Sequence, residues 1–215
     1  MEFTGIEEDI AKEIINIGLG KAADSMAFFT REKVLIRTID LQILEAGHND
    51  KLNHKRIDND DEKRFVLTTH VEGELGGVCY LIFTGEEVKR LHKKSLPESI
   101  LNDADKLKVM GDAILLEMDN IISASVITQF SNFFKYKMHG GVPSLDKMEK
   151  GELSNFLMQS QNKFSRFIYF HSEFSTGDLD VNPEFVWFLD EQFFKGVKSV
   201  LKDDQLFTEL KTNKN

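Results

Sequence analysis

Two short patterns in this sequence hold side chains that a helix does not need in order to fold. DIAKEIINIGLGKAA carries Glu13 and Asn16, and AILLEMDNIISAS, at an offset of 104 residues, carries Glu117 and Asn120 with the same spacing. Asn is a mediocre helix former, so its recurrence asks for a cause. At about 100° per residue the acid and the amide lie about 60° apart, one turn along a shared face. Asp9 precedes the first pair by one turn and Gly20 follows it; the equivalents in the second are Ala113 and Ala124. Each helix thus offers an acid and a hydrogen-bonding amide beside a nearly bare turn, where another surface can approach the backbone closely. Gly18 and Gly20 each weaken the first helix by roughly 1 kcal/mol relative to Ala, a cost that also asks for a reason.

Aligning 9–30 with 113–134 gives five identities: Ile10/Ile114, Glu13/Glu117, Asn16/Asn120, Ile17/Ile121 and Phe29/Phe133. Packing accounts for the three apolar ones. The acid and the amide need something else, because polar surface positions drift freely unless something holds them. Asp119, between Glu117 and Asn120, falls near the core side, where the first copy has Ile15. GLGKAA hints at a phosphate loop, but position 15 is Ile and Lys21 is followed by Ala22, so the Walker A pattern fails. The segment also sits inside a helix rather than between strand and helix.

The elements that must carry these pairs are legible along the chain. Thr4 and Glu7 have capping-box spacing, and Ile6, Ile10, Ile14, Ile17, Ala22, Met26 and Phe29 recur at helical intervals, predicting a helix over 5–30. A strand follows near 34–44, then a polar exposed loop over 45–63. RFVLTTHVEGELGGVCYLIFTG reads as a hairpin, and a short helix at about 85–95 breaks near Pro97. The second half restates the order: a helix over about 105–134, a Gly-Gly-Val-Pro turn ending at Pro143, and a polar stretch. Two β-rich runs separated by STGDLDVN then lead to a helix at about 190–202 and a short charged tail, 203–215. The expected fold is α+β: pseudo-twofold helix–strand–hairpin–helix repeats, about 4–96 and 104–202, around a central, mainly antiparallel sheet with two long helices. Both repeats are expected to form one domain over 1–215.

Composition narrows the partners. A net charge of −9, with scattered basic residues, argues against nucleic acid. Phe is used 18 times against 3 Tyr and 1 Trp, which points to a ring-filled core. The single cysteine, Cys79, lies in an apolar run and reads as a small buried hydrophobe. His48, His54, His70, His92, His139 and His171 show no metal-ligand spacing. The acidic N-terminus has no apolar signal region and no apolar run approaches 18 residues, so a soluble cytoplasmic protein without membrane partners is expected.

The duplicated pattern resembles that of the CheC-type response-regulator phosphatases (the CheC/CheX/FliY superfamily), whose motif is Asp or Ser, three residues, Glu, two residues, Asn, then 22 residues and Pro. Asp9, Glu13 and Asn16 match in the first copy, where Ile39 replaces the proline; Glu117, Asn120 and Pro143 match in the second, where Ala113 replaces the leading residue. The resemblance extends over nearly the whole chain. It implies hydrolysis of the aspartyl phosphate on a CheY-like receiver, with Glu docking a receiver lysine and Asn holding the attacking water. It implies no cofactor of this chain's own, with Mg²⁺ on the receiver, and it allows a CheD-like deamidase as a second partner. Two other readings compete: a non-catalytic receiver-binding module, and an assembly role like that of the FliM middle domain, which has a similar fold without the acid–amide pair.

Overall fold

A computed structural model describes residues 4–30, 32–45, 63–149, 151–161, 163–164, 166–177 and 179–212. The chain opens with α1 (Gly5–Thr30), β1 (Val34–Glu45), the hairpin β2 (Arg64–Gly73) and β3 (Gly77–Thr84), α2 (Gly85–Ser95) and α3 (Glu98–Leu101). It continues through α4 (Ala104–Phe134), β4 (Met138–Gly140), β5 (Ser144–Met148) and α5 (Leu153–Gln161). The described part ends with β6 (Arg166–Thr176), β7 (Leu179–Val181), β8 (Glu184–Leu189), α6 (Glu191–Lys202) and α7 (Asp204–Thr212). The expected loop lies outside the described residues over 46–62.

Local chemistry explains where the two long helices begin. Thr4 N donates to Glu7 Oε2 at 2.8 Å and Glu7 N to Thr4 Oγ1 at 3.4 Å, a reciprocal capping box at the start of α1. Asp103 caps α4, its Oδ1 accepting from Lys106 N at 3.1 Å. By length and composition α4 could cross a membrane. Here, however, it is a core helix: Leu115, Ile122, Val126 and Phe130 are buried in the main apolar cluster together with Ile10, Ile14 and Leu19 of α1.

One antiparallel sheet runs β1-β6-β8-β3-β2-β4, with β5 also on β2 and β7 on β6. The order is symmetric about the β8–β3 pair: each half contributes a central strand, its hairpin partner and an outer strand. The central strands are buried along nearly their whole length, as the continuous apolar runs GVCYLIF and EFVWFL require. One face of the sheet carries Leu81, Phe170, Phe185 and Trp187 into the cluster shared with α1, α4 and α6. The other face puts Tyr80, Tyr169, Val186 and Phe188 beneath α5.

Several segments differ from the sequence reading. The Gly-Gly-Val-Pro turn and the polar stretch after it hold β4, β5 and α5. β4 and β5 are outer strands held by backbone pairing to β2, which leaves little apolar signature. α5 is short, with Leu153 and Leu157 seated on the second core. STGDLDVN contains β7, whose Leu179 and Val181 are buried while Asp180 is exposed. The charged tail begins with α7: Asp203 Oδ1 accepts from Gln205 N and Leu206 N, at 3.0 and 3.1 Å, and Leu206 and Leu210 join the main core. Ile6, expected on the apolar side of α1, is 56% exposed.

Candidate functional site

α1 and α4 pack against each other in antiparallel fashion. Gly18 lies against Val126, where an added Cβ would come 2.7 Å from Val126 Cα. Met26, two turns further along α1, borders the same cavity as Ile114 and Met118, which precede Val126 on α4. With Gly18 level with Val126, Asn16 and Asn120 are about 12 Å apart along the axes and the two glutamates about 21 Å apart, at 1.5 Å per residue. The acid–amide pairs are therefore two separate faces related by the fold's pseudo-twofold, not two halves of one centre.

Each pair is presented outward. Asn16, Glu117 and Asn120 are exposed and Glu13 is half-buried; Asp9, Gly20, Ala113 and Ala124 are also exposed, and Pro143 is half-buried. Among the described residues none of the four acid and amide side chains has a hydrogen-bond or ion-pair partner. Their hydrogen-bonding capacity is thus unused among the described residues.

Gly18 and Gly20 of α1, alike in sequence, have different duties. Gly18 is buried and permits the close approach of α4, whereas nothing lies within 4 Å of a Cβ placed on Gly20. The bare turn beside Asn16 is thus a clear surface, and the turn beside Gly18 is a packing contact.

Ile39 and Pro143 also find a common explanation. In β1, Thr38 pairs with Ser172 and Asp40 with His171, so Ile39 is an extra residue in the ladder. In the second half, Gly140 pairs with Val71 and Ser144 with Thr68, which sets residues 141–143 opposite only Thr69 and His70. Both outer strands therefore carry one surplus residue at the same point. A continuous strand absorbs it as a β-bulge at Ile39, and the chain leaves the ladder at Pro143.

Asp119 is 1% exposed and accepts from Thr69 Oγ1 of β2 at 2.6 Å and from Ser123 Oγ at 3.2 Å. Burial outweighs those two bonds and raises its pKa to about 6. It thus ties the turn that bears Glu117 and Asn120 to the sheet, a role the sequence reading did not find because Thr69 is distant in the chain. Cys79 is buried at 1% exposure, and burial, then the neighbouring Asp119 charge, hold its thiol pKa well above the usual value.

The surroundings of the two faces differ. A cleft of about 350 Å³ beside Asn16 is bordered by Leu35, Ile36, Arg37, Thr38, Glu173 and Ser175. A larger cavity of about 710 Å³ opens beside Ala113 and Glu117. Sequence reasoning missed both, since each is closed by elements distant in the chain: β1 and β6 around the cleft, and α1, α2, α4, β6 and β7 around the cavity. Among the described residues no group of three or more His, Cys, Asp or Glu side chains could hold a metal ion.

No protein-family model matches this sequence, and no curated protein matches it significantly. Solved structures do match. FliY from Thermotoga maritima superposes with a TM-score of 0.64 at 15% identity, covering 98% of this chain and 100% of that one. The FliM middle domain from H. pylori gives a TM-score of 0.58 at 11% identity, covering 91% of this chain and 99% of that one. A FliG–FliM complex from H. pylori gives 0.56 at 12% identity, over 90% of this chain and 100% of the matched one. The chain has the CheC/CheX/FliY fold. At such identities the likeness is one of architecture. What distinguishes a member of the CheC/CheX/FliY fold must be read from the residues its long helices present.

Proposed function

We propose that this chain is a phosphatase acting on the aspartyl phosphate of a CheY-like receiver, with Glu13 and Glu117 docking the receiver and Asn16 and Asn120 orienting the attacking water. The observation that carries the reading is the pair of exposed acid–amide faces, without partners among the described residues, at equivalent places on α1 and α4. A transferring phosphoryl group spreads negative charge over its oxygens and needs an aligned water more than a strong base. A neutral amide can hold that water without repelling those oxygens, as a carboxylate would. The water oxygen bonds to phosphorus while the bond from phosphorus to the receiver's aspartate oxygen breaks, and the protons of the water leave with inorganic phosphate. Glu13 and Glu117 stand one turn away, placed to pair with a basic side chain of the receiver. The divalent cation of the reaction belongs to the receiver in this reading, which also implies a cytoplasmic protein.

A second reading is favoured by the likeness to FliM middle domains, one of them in a complex with FliG: the chain is an assembly or docking module without catalysis. Phosphate release from a phosphorylated receiver separates the two. Replacing both Asn16 and Asn120 by Ala should abolish acceleration, while Glu13→Lys with Glu117→Lys should weaken receiver binding. Full activity in the double Asn variant would remove the catalytic reading.

A further inference from the structure

The two faces differ in chemistry as well as in position. Continued along its helix, the first face reads Ile6, Asp9, Glu13, Asn16, Gly20 and Asp24, with three acids; the second reads Met110, Ala113, Glu117, Asn120, Ala124 and Thr128, with one. All are exposed except Glu13, which is half-buried. The hollows beside them differ in size and lining. The cleft at Asn16 mixes the charged and polar Arg37, Glu173, Thr38 and Ser175 with the apolar Leu35 and Ile36. The cavity at Glu117, about twice as large at about 710 Å³, is walled by Met26, Leu91, Ile114, Met118, Phe174 and Leu179. An ion pair at its far rim, Lys94 Nζ to Glu32 Oε2 at 3.2 Å, is joined by Thr176 Oγ1 donating to Glu32 at 3.1 Å. α1 also packs against α6 and α7, and α7 brings Leu206 and Leu210 into the core.

We propose, resting on the phosphatase reading above, that the cavity beside Glu117 is a specificity pocket that seats one bulky apolar side chain of the receiver, whereas the first face recognises the receiver by charge. The occupant is a receiver side chain because Glu117 borders both the cavity and the catalytic face: a partner engaging Glu117 and Asn120 lies over the mouth, and Ala113 leaves that mouth open. Apolar burial contributes affinity that salt does not screen, and the three acids of the first face contribute affinity that it does.

Single-site proteins test this. Asn16→Ala leaves only the second face active and Asn120→Ala only the first, each assayed with a CheY-like receiver phosphorylated by acetyl phosphate. Raising NaCl from about 50 to about 500 mM should lower kcat/KM of the Asn120→Ala protein roughly tenfold and that of the Asn16→Ala protein by less than about twofold. Adding Ala113→Phe to the Asn16→Ala protein should close the mouth and raise KM about tenfold or more with little change in kcat, the scale of a buried apolar side chain. Ala113→Asp in the same protein should instead confer salt dependence. Equal salt responses of the two single-site proteins, or an unchanged KM in an Ala113→Phe protein shown to be folded by circular dichroism, would overturn the pocket. If the double Asn variant keeps full activity, the catalytic reading fails instead, and the pocket stands or falls on whether Ala113→Phe lowers receiver affinity.

Discussion

Replacing Asp119 by Asn should change how stability depends on pH. The carboxyl is 1% exposed, its pKa is raised from 3.8 to about 6 by burial, and its hydrogen bonds come from Thr69 and Ser123. A raised carboxyl pKa means that the folded state holds a proton which the unfolded chain has already lost. Between about pH 4 and pH 6 stability therefore falls as pH rises, and it levels off above 6. A shift of about two units corresponds to about 3 kcal/mol in all at 1.36 kcal/mol per unit, of which about 2 kcal/mol is lost between pH 4 and pH 7.5 because the unfolded carboxyl is already more than half ionised at pH 4. Asn cannot ionise; its amide oxygen takes the place of one carboxylate oxygen and still accepts from one hydroxyl, while its NH2 takes the place of the other and donates to the second hydroxyl. Urea unfolding of wild type and Asp119→Asn at pH 4 and pH 7.5 gives four free energies. The variant minus wild-type difference should become more favourable by about 2 kcal/mol at the higher pH, since carboxylates common to both proteins cancel. A difference that stays constant within about 0.5 kcal/mol would show that Asp119 carries no such penalty, and the argument from its burial would be wrong.

Gly18→Ala and Gly20→Ala should separate the duties of these two glycines. The first forces a methyl against Val126 and should destabilise by about 1–3 kcal/mol, while the second meets open space and should stabilise by up to about 1 kcal/mol, both read by denaturant midpoint. Ile39→Pro should cost less than about 1 kcal/mol because Ile39 is the surplus residue of its ladder; a loss near 3 kcal/mol would show that its N–H is needed. Thr84→Ala should cost about 1 kcal/mol in thermal or urea unfolding. It removes the hydroxyl that accepts from Glu87 N at 3.1 Å at the start of α2.

The sequence by itself determined the two long helices, their ends and the faces that Glu13, Asn16, Glu117 and Asn120 occupy. Helical period and capping are local properties, set by residues three and four apart. It also marked the buried central strands, whose unbroken apolar runs need no partner to be recognised. Only the tertiary structure decided the rest, because each of those features depends on a distant segment. Gly18 and Gly20 differ through Val126, and β4 and β5 exist through β2. Asp119 has its account in Thr69, 50 residues away. The antiparallel packing of α1 on α4 set the two pairs apart as separate faces. It also left one of them beside a small cleft of mixed polar and apolar lining and the other beside a larger, mainly apolar cavity, a difference assembled from side chains that meet only when the sheet closes beneath the helices.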